Sequence, residues 1–206
     1  MQTAPACLPQ FKHIKRYWDQ PRGMYVAKIM PGEFYVTKHH ELISTLLGSC
    51  VAVCMRDAVN GVGGMNHFKL PTPKVGTTAG DDANYGLYAM EVLINGILKA
   101  GGKRQHLECR VFGGGNVLKS VDFNIGQKNI EFVKQFLHKE KIAIKGMDVG
   151  HESAQQIYYH PNSGNAFSLV SDSSRVEDLK RSEQEYLAKI SHDAQKSSVI
   201  FLDDTP

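Results

Sequence analysis

The sequence predicts a layered α/β domain in which two main helices pack on a mostly mixed or antiparallel sheet. Short apolar runs of strand length recur along the chain, about eight or nine in all. Two longer segments repeat apolar residues at helical spacing, and Asn60-Gly61 between two of the short runs indicates a tight hairpin. With 206 residues, 42% of them hydrophobic and 22% charged, the chain has the composition of a soluble globular domain of ordinary size.

The N-terminal half of the chain is predicted to contain an extension, four strands and a long loop. Residues 1–22 form an N-terminal extension that is ordered in part at most, from which Tyr17 and Trp18 can dock on the domain. The predicted strands cover residues 34–36, 41–45, 50–55 and 62–70, and the hairpin joins the last two. Residues 71–85 are polar and rich in Gly, Thr, Pro and Asp, which predicts a long loop of the kind that is often functional.

The second half alternates helices and strands. A helix built on the apolar residues between Leu87 and Leu98 stops at Gly101, and a second helix covers residues 126–139 with Asn124 as its cap. The predicted strands of this half cover residues 107–112, 142–148, 156–160 and 166–170.

The C-terminal end is predicted to be a weaker helix and a flexible tail. Ser173 or Ser174 can cap this helix. The chain is therefore divided into an extension, a main domain and a C-terminal helix with its tail, at residues 1–22, 23–172 and 173–206.

Charge and hydropathy exclude several classes of protein. The net charge of +3 is too small to indicate nucleic-acid binding. No apolar run approaches the roughly 20 residues that cross a bilayer. The first residues lack the positive start and the apolar block of a signal peptide. We therefore expect a cytoplasmic protein without direct membrane insertion.

A cysteine and a histidine form the candidate catalytic pair. Cys50 follows Gly48-Ser49, where a loop enters a strand, and the hairpin carries His67 back toward it. Backbone amides of Gly48, Ser49 and Val51 can point at an oxyanion, while the sulfur stays reachable. We expect His67 as an imidazolium to favour the thiolate form of Cys50.

The other cysteines, histidines and glycines have simpler explanations. The four cysteines, at positions 7, 50, 54 and 109, are predicted to be free, and the two on the third strand are too far apart to pair. His39-His40 lacks partners at zinc-site spacing, so neither a metal nor another cofactor is predicted. The run from Gly113 to Gly115 lacks the phosphate-loop ending, and it predicts a close backbone approach to another segment.

Six short motifs, in order along residues 30–170, resemble the chemoreceptor glutamine deamidases of the CheD family. They are Leu47-Gly48-Ser49-Cys50-Val51-Ala52-Val53, Gly63-Gly64-Met65-Asn66-His67, Tyr85-Gly86 before Met90-Glu91, Val111-Phe112-Gly113-Gly114, Ile125-Gly126 with Asn129, and Asp148-Val149-Gly150. Members of this family adopt a layered α/β sandwich, and they hydrolyse glutamine side chains of chemotaxis receptors to glutamate.

The resemblance also implies the roles of particular residues. Cys50 matches the nucleophile and His67 the general base. The third member of the family's site matches Ser44, and Thr45 can serve if the strand register differs. Three further positions are predicted to contact substrate: Asn66, Gly113 and Gly114. The implied partners are the cytoplasmic domains of methyl-accepting chemotaxis receptors and a phosphatase of the CheC type.

Three other functions use the same residues. A methylesterase acting on receptor glutamates would keep Cys50 and His67 and change only the leaving group. A docking module would bind receptors or a phosphatase without catalysis, and Cys50 would be incidental. A redox sensor would need a resolving cysteine, and none is obviously in reach of Cys50.

Overall fold

The predicted α/β fold is confirmed by the computed structural model, which describes residues 3–70, 81–117, 125–171 and 176–196. This part of the chain forms two five-stranded sheets and three α-helices. Sheet 1 contains β1 Lys15–Asp19, β2 Met24–Lys28, β4 Leu42–Leu47, β9 Gln155–His160 and β10 Asn165–Val170. Sheet 2 contains β3 Phe34–Thr37, β5 Val51–Asp57, β6 Val62–Phe68, β7 Leu107–Gly113 and β8 Ala143–Val149. The helices are α1 Asp81–Lys99, α2 Ile125–Lys139 and α3 Val176–Lys196.

Both sheets are mixed. The strand order is β1-β2-β4-β9-β10 in sheet 1 and β3-β6-β5-β7-β8 in sheet 2. Among the described strands, β2 and β4 pair in parallel, as do β7 and β8, and the other neighbours are antiparallel. The predicted hairpin joins β5 to β6 and pairs Asp57 with Val62.

Sheet 2 lies between sheet 1 and the first two helices. On β6, the Asn66 side chain hydrogen bonds to the backbone of Ala89 on α1, whereas the next side chain, His67, contacts Thr45 of sheet 1. Successive side chains of a strand point to opposite faces, so these two contacts fix the order of the layers. The main core contains residues of both sheets, including Ile43, and burial of this apolar surface holds the layers together.

Two strands of sheet 1 are absent from the prediction. β1 and β2 pair with each other from Lys15↔Lys28 to Asp19↔Met24, across the boundary predicted after residue 22. β1 is an edge strand in which four of the five residues are exposed or only partly buried, so it lacks the apolar run that marks a buried strand. An ion pair of 2.8 Å between Arg16 and the buried Glu41 ties it to the domain. The domain division itself stays a prediction.

The predicted loop at residues 71–85 is wrong at its end, because α1 already begins at Asp81. Apolar periodicity starts only at Leu87, and a first helical turn needs no apolar residue to form. Residues 71–80 lie outside the described residues, as do the predicted caps Asn124, Ser173 and Ser174 and the tail after Lys196. Within the described residues, every helix is too short or too polar to cross a bilayer.

Candidate active site

His67 is held in one orientation by a hydrogen bond between the two sheets. Its Nδ1 lies 2.6 Å from Thr45 Oγ1, and the same Oγ1 donates its only hydrogen to the carbonyl oxygen of Ile29 at 2.9 Å. Thr45 must therefore accept from His67, so the neutral imidazole carries its proton on Nδ1. Its Nε2 is left with a free lone pair, and it is buried without a hydrogen-bond partner among the described residues.

The structure brings Thr45 to His67, and not Ser44. The side chain of Ser44 lies on the opposite face of β4, which it shares with Leu42 and which packs against Val26 and Tyr158. The preference for Ser44 is therefore corrected to the alternative, Thr45. The physical reason is the strand's period of two, because neighbouring residues cannot reach the same side of a sheet.

Cys50 directly precedes β5, in which Ala52 is paired with His67. Continuing the alternation of β5 by one residue assigns Cys50 to the diagonal position across the hairpin from His67. Diagonal neighbours on one face have Cα atoms about 7–8 Å apart, within reach for a cysteine and a histidine. The hairpin thus brings the backbone of Cys50 to the end of the strand pair that carries His67, and no hydrogen bond joins the thiol to Nε2 in the described residues.

The glycine run after β7 supports the loop that carries Cys50. The Gly114 amide donates to the Cys50 carbonyl oxygen and the Gly115 amide to the Gly48 carbonyl oxygen, both at 2.7 Å. Gly113 has φ +94°, and a Cβ there would lie 2.3 Å from the Cys50 carbonyl oxygen. The predicted close backbone approach is confirmed. The amides of Gly114 and Gly115 hold the protein's own loop instead of facing a substrate.

Glu183 of α3 brings a carboxylate to the same loop. Its Oε1 accepts from the Ser49 amide at 3.2 Å, and its Oε2 accepts from the Ser49 hydroxyl at 2.7 Å. Its Oε2 also lies 3.0 Å from the Lys69 ammonium. The Ser49 amide, predicted to face an oxyanion, therefore faces a carboxylate oxygen. The other two residues predicted to supply oxyanion amides also have neighbours within the protein. Gly48 packs against Leu179 and Glu183 of α3, and Val51 pairs with Phe68 and Gly113 in sheet 2.

The Cys50 sulfur is enclosed, contrary to the prediction that it stays reachable. Cys50 is 0% exposed and His67 is 1% exposed, and α3 covers the loop beside them. Burial raises the pKa of the Cys50 thiol well above its ordinary value; the charge and a hydrogen bond of Glu183 raise it further, and Lys69 lowers it. Burial lowers the pKa of His67 to about 4, against a smaller opposing effect of Glu183. Because both groups are buried, the neutral forms prevail at pH 7 and the expected imidazolium does not form.

The side chain of Asn66 makes hydrogen bonds within the protein, on the face of sheet 2 that packs against α1. Its Oδ1 accepts from the Val53 amide at 3.0 Å, and its Nδ2 donates to the Ala89 carbonyl oxygen at 2.8 Å. The side chain is 2% exposed and lies on the face of β6 opposite His67. The predicted substrate contact is therefore corrected to a structural role between β5, β6 and α1.

Three polar residues at this site were not predicted as site residues: Asn129, which belongs to one of the six motifs, Lys69 and Glu183. Asn129 is fully buried on α2, where its Nδ2 donates to the Ser49 carbonyl oxygen at 2.8 Å and its Oδ1 accepts from the Leu70 amide at 2.9 Å. Two signals in the sequence pointed to Asn129: its place in a motif and its position as a polar residue on the apolar face of α2. Glu183 sits among charged or polar neighbours, where a charged side chain attracts no notice. Lys69 stands between Phe68 and Leu70, so a charge within an apolar run was its signal.

The low pKa of His67 is expected to make the folded protein less stable in mild acid. The unfolded imidazole binds a proton near pH 6.5, whereas the folded one stays neutral down to about pH 4. Between these values the unfolded chain binds more protons, so stability present at pH 7 is lost as the pH falls. Between pH 7 and pH 5 this loss is about 2 kcal/mol.

Urea unfolding of the wild type and of His67→Gln at pH 7 and pH 5 measures this loss. The wild type should lose more stability than the variant, because the variant has no imidazole at this position. His160, whose pKa is also lowered by burial and by His40, is present in both proteins and cancels from the comparison. Equal losses in the two proteins would show that His67 is not kept neutral by folding.

Comparison of the sequence with known proteins assigns the chain to a family. A family model described as CheD chemotactic sensory transduction matches residues 69–168. A protein of Halorhodospira halophila named probable chemoreceptor glutamine deamidase CheD is 45% identical over 194 residues, which cover 91% of this chain and 89% of its own. A protein of the same name from Hahella chejuensis is 42% identical over 194 residues, which cover 93% of this chain and 92% of its own.

The similarity is not confined to the motifs. The two alignments cover more of the chain than residues 30–170, the segment that carries the six motifs. A third protein of this name, from Janthinobacterium sp. (strain Marseille), is 48% identical over 151 residues, covering 72% of this chain and 74% of its own. The resemblance that the motifs predict is confirmed, and the chain belongs to the CheD family.

Proposed function

We propose that the protein is a chemoreceptor glutamine deamidase that hydrolyses receptor glutamine side chains to glutamate through a thioester on Cys50. The single observation that carries this proposal is the free, buried Nε2 of His67, with its tautomer set by Thr45, on the strand that pairs with the strand after Cys50. The relatives named probable chemoreceptor glutamine deamidases supply the substrate, the cytoplasmic part of chemotaxis receptors.

In the first step His67 acts as the general base. Its Nε2 takes the thiol proton while Cys50 Sγ bonds to the carbon of the substrate amide, which gives a tetrahedral intermediate with a negative oxygen. This route needs no thiolate in the resting protein, which suits a neutral pair with a raised thiol pKa and a His67 pKa of about 4. Thr45 holds the imidazole in the tautomer that has its lone pair on Nε2.

The Ser49 amide is the donor that stabilises this negative oxygen. In the structure it donates to a carboxylate oxygen at 3.2 Å, so it already accommodates an oxygen with negative charge. A donor fixed by a rigid loop is ready before the charge forms, and such donors typically lower the barrier by about 3 kcal/mol. The glycine run keeps the loop rigid through the carbonyl oxygens of Gly48 and Cys50.

The second step releases the products. His67 Nε2 returns its proton to the nitrogen, the C–N bond breaks, and ammonia leaves a thioester on Cys50. His67 then removes a proton from a water molecule as it attacks the thioester carbon, and the thiol and a glutamate side chain result. Each turnover adds one negative charge to a receptor helix, where like charges on neighbouring turns repel.

Mass spectrometry of a receptor fragment tests the proposal. The purified cytoplasmic fragment of a chemotaxis receptor is incubated with the protein, and its peptides are compared before and after. Particular glutamines should gain the small mass of an amide-to-acid conversion, while ammonia appears in equal amount. Loss of methyl groups without any deamidation would instead indicate an esterase, and an unchanged fragment that still binds the protein would indicate a docking module.

A phosphatase of the CheC type is proposed as a second partner, from the family resemblance alone. Its binding would be expected to inhibit deamidation.

A further inference from the structure

Among the described side chains of α3, three are buried against the rest of the protein: Leu179, Glu183 and Tyr186. Their spacing places all three on one face of a helix. Gln184 and Glu185, between the last two, are exposed. Two of the three buried residues are apolar or aromatic, and the central one carries a charge.

This buried face of α3 lies on the loop that carries Cys50. A Cβ at Gly48 would lie 2.6 Å from Leu179 Cδ2 and 2.9 Å from Glu183 Oε1, so the absence of a side chain there lets α3 approach. One turn further along, Tyr186 packs on Gly32 and its hydroxyl hydrogen bonds to that of Tyr85. Apolar contacts thus flank the carboxylate on both sides.

Glu183 occupies the place that a reacting side chain would need. It is 2% exposed and its two oxygens bind the amide and hydroxyl of Ser49, directly before Cys50. Glutamate has the same carbon skeleton as glutamine, and it is the product of the proposed reaction. A carboxylate does not yield to a thiol, because it is already anionic and offers no ammonia to release. Its charge also pairs with Lys69, which a neutral amide cannot do.

We propose that α3 is an intramolecular inhibitor that holds Glu183 where the substrate's glutamine side chain binds, so that a receptor helix must displace α3 before reaction. This inference rests on the proposed function. The corresponding substrate is a helix that presents glutamine with an apolar residue one turn before it, as Leu179 stands before Glu183. A tethered helix competes at a high effective concentration, so only a substrate that is itself concentrated, or bound at a second point, displaces it.

Displacement also explains how a buried thiol can react. While α3 is docked, Cys50 and His67 are out of contact with solvent. The apparent affinity for substrate is the intrinsic affinity multiplied by the fraction of molecules in which α3 has moved away. Weakening the α3 contact should therefore raise both the accessibility of Cys50 and the rate of deamidation, by the same factor.

Alkylation of Cys50 by iodoacetamide measures the accessibility without any substrate. Glu183→Ala removes the carboxylate, and Glu185→Ala makes the same change at an exposed position of the same helix. Peptide mapping separates Cys50 from the partly exposed Cys7, and circular dichroism verifies that both variants are folded. Labelling of Cys50 should be at least about tenfold faster in Glu183→Ala than in the wild type, which corresponds to about 1.4 kcal/mol. Glu185→Ala should match the wild type.

Deamidation of the receptor fragment by the same proteins separates the two proposals. Faster labelling with an equally faster deamidation supports inhibition by α3. Unchanged labelling, with a wild type that deamidates the fragment as fast as Glu183→Ala does, overturns the inference and leaves the proposed function standing. Faster labelling with no deamidation by any of the three proteins overturns the proposed function, and inhibition with it.

Glu183→Gln tests the position of the side chain most directly. The introduced glutamine should be converted to glutamate within the purified protein, and the conversion should disappear in the double variant Cys50→Ala/Glu183→Gln. Mass spectrometry of the α3 peptide measures the conversion. An introduced glutamine that persists in a variant able to deamidate the receptor fragment would overturn the assignment of Glu183 to the substrate position.

Discussion

Cys50→Ala is expected to abolish the deamidation of receptor glutamines. The variant removes the sulfur that forms the thioester in the proposed mechanism. Loss of the nucleophile from a catalytic group that acts as a unit lowers kcat by about 10⁴-fold or more. Peptide mass spectrometry of the receptor fragment, followed over time, measures the remaining rate.

Cys54→Ala is the matched control for this variant. Cys54 is also a buried thiol, on β5, and its pKa is also raised by burial. Its sulfur lies 3.4 Å from Met65 Sδ within the core, so its loss should cost stability and leave the deamidation rate of the folded protein within a few-fold. Deamidation that survives in Cys50→Ala would remove Cys50 from the mechanism.

His67→Gln is expected to cause the second large loss, of about 10²- to 10⁴-fold in kcat. Glutamine keeps a polar group that can bond to Thr45, but it cannot take a proton from the thiol or return one to ammonia. The effect should fall on kcat more than on KM, because the imidazole transfers protons in the transition state and contributes little to substrate binding in the ground state. Single-turnover deamidation of the receptor fragment measures it.

Variants of β4 show whether the orientation of His67 is part of this effect. Thr45→Val removes the hydroxyl and should lower kcat about 10- to 100-fold, an effect typical of losing the group that orients a histidine. Thr45→Ser should restore much of the rate, since it keeps the hydroxyl. Ser44→Ala, on the other face of the strand, should behave as the wild type. A large loss in Ser44→Ala with none in Thr45→Val would reverse the assignment.

The approach of the Cys50 and His67 segments was predictable because a hairpin is local. Asn60-Gly61 fixes the turn and therefore the register that pairs Ala52 with His67. The run from Gly113 to Gly115 predicts a close approach of backbones, although it does not say which segment approaches. The α/β class follows from the same local patterns, since strand and helix periods are properties of short segments.

The choice between Ser44 and Thr45 depends on which face of β4 meets sheet 2, and the local sequence does not show this. Nearly all of β4 is buried on both faces, so its sequence has no alternation of polar and apolar residues to show which face meets sheet 2. Glu183 was hidden for a related reason, because its partner Ser49 lies 134 residues away and only tertiary packing joins them. β1 escaped notice because an edge strand buries too little to require an apolar run.

The bond between Thr45 and His67 joins two sheets that share only packed side chains at this point. A chain that has formed either sheet alone has no imidazole held by Thr45. In the proposed mechanism, the oriented base therefore exists only after the two layers have docked.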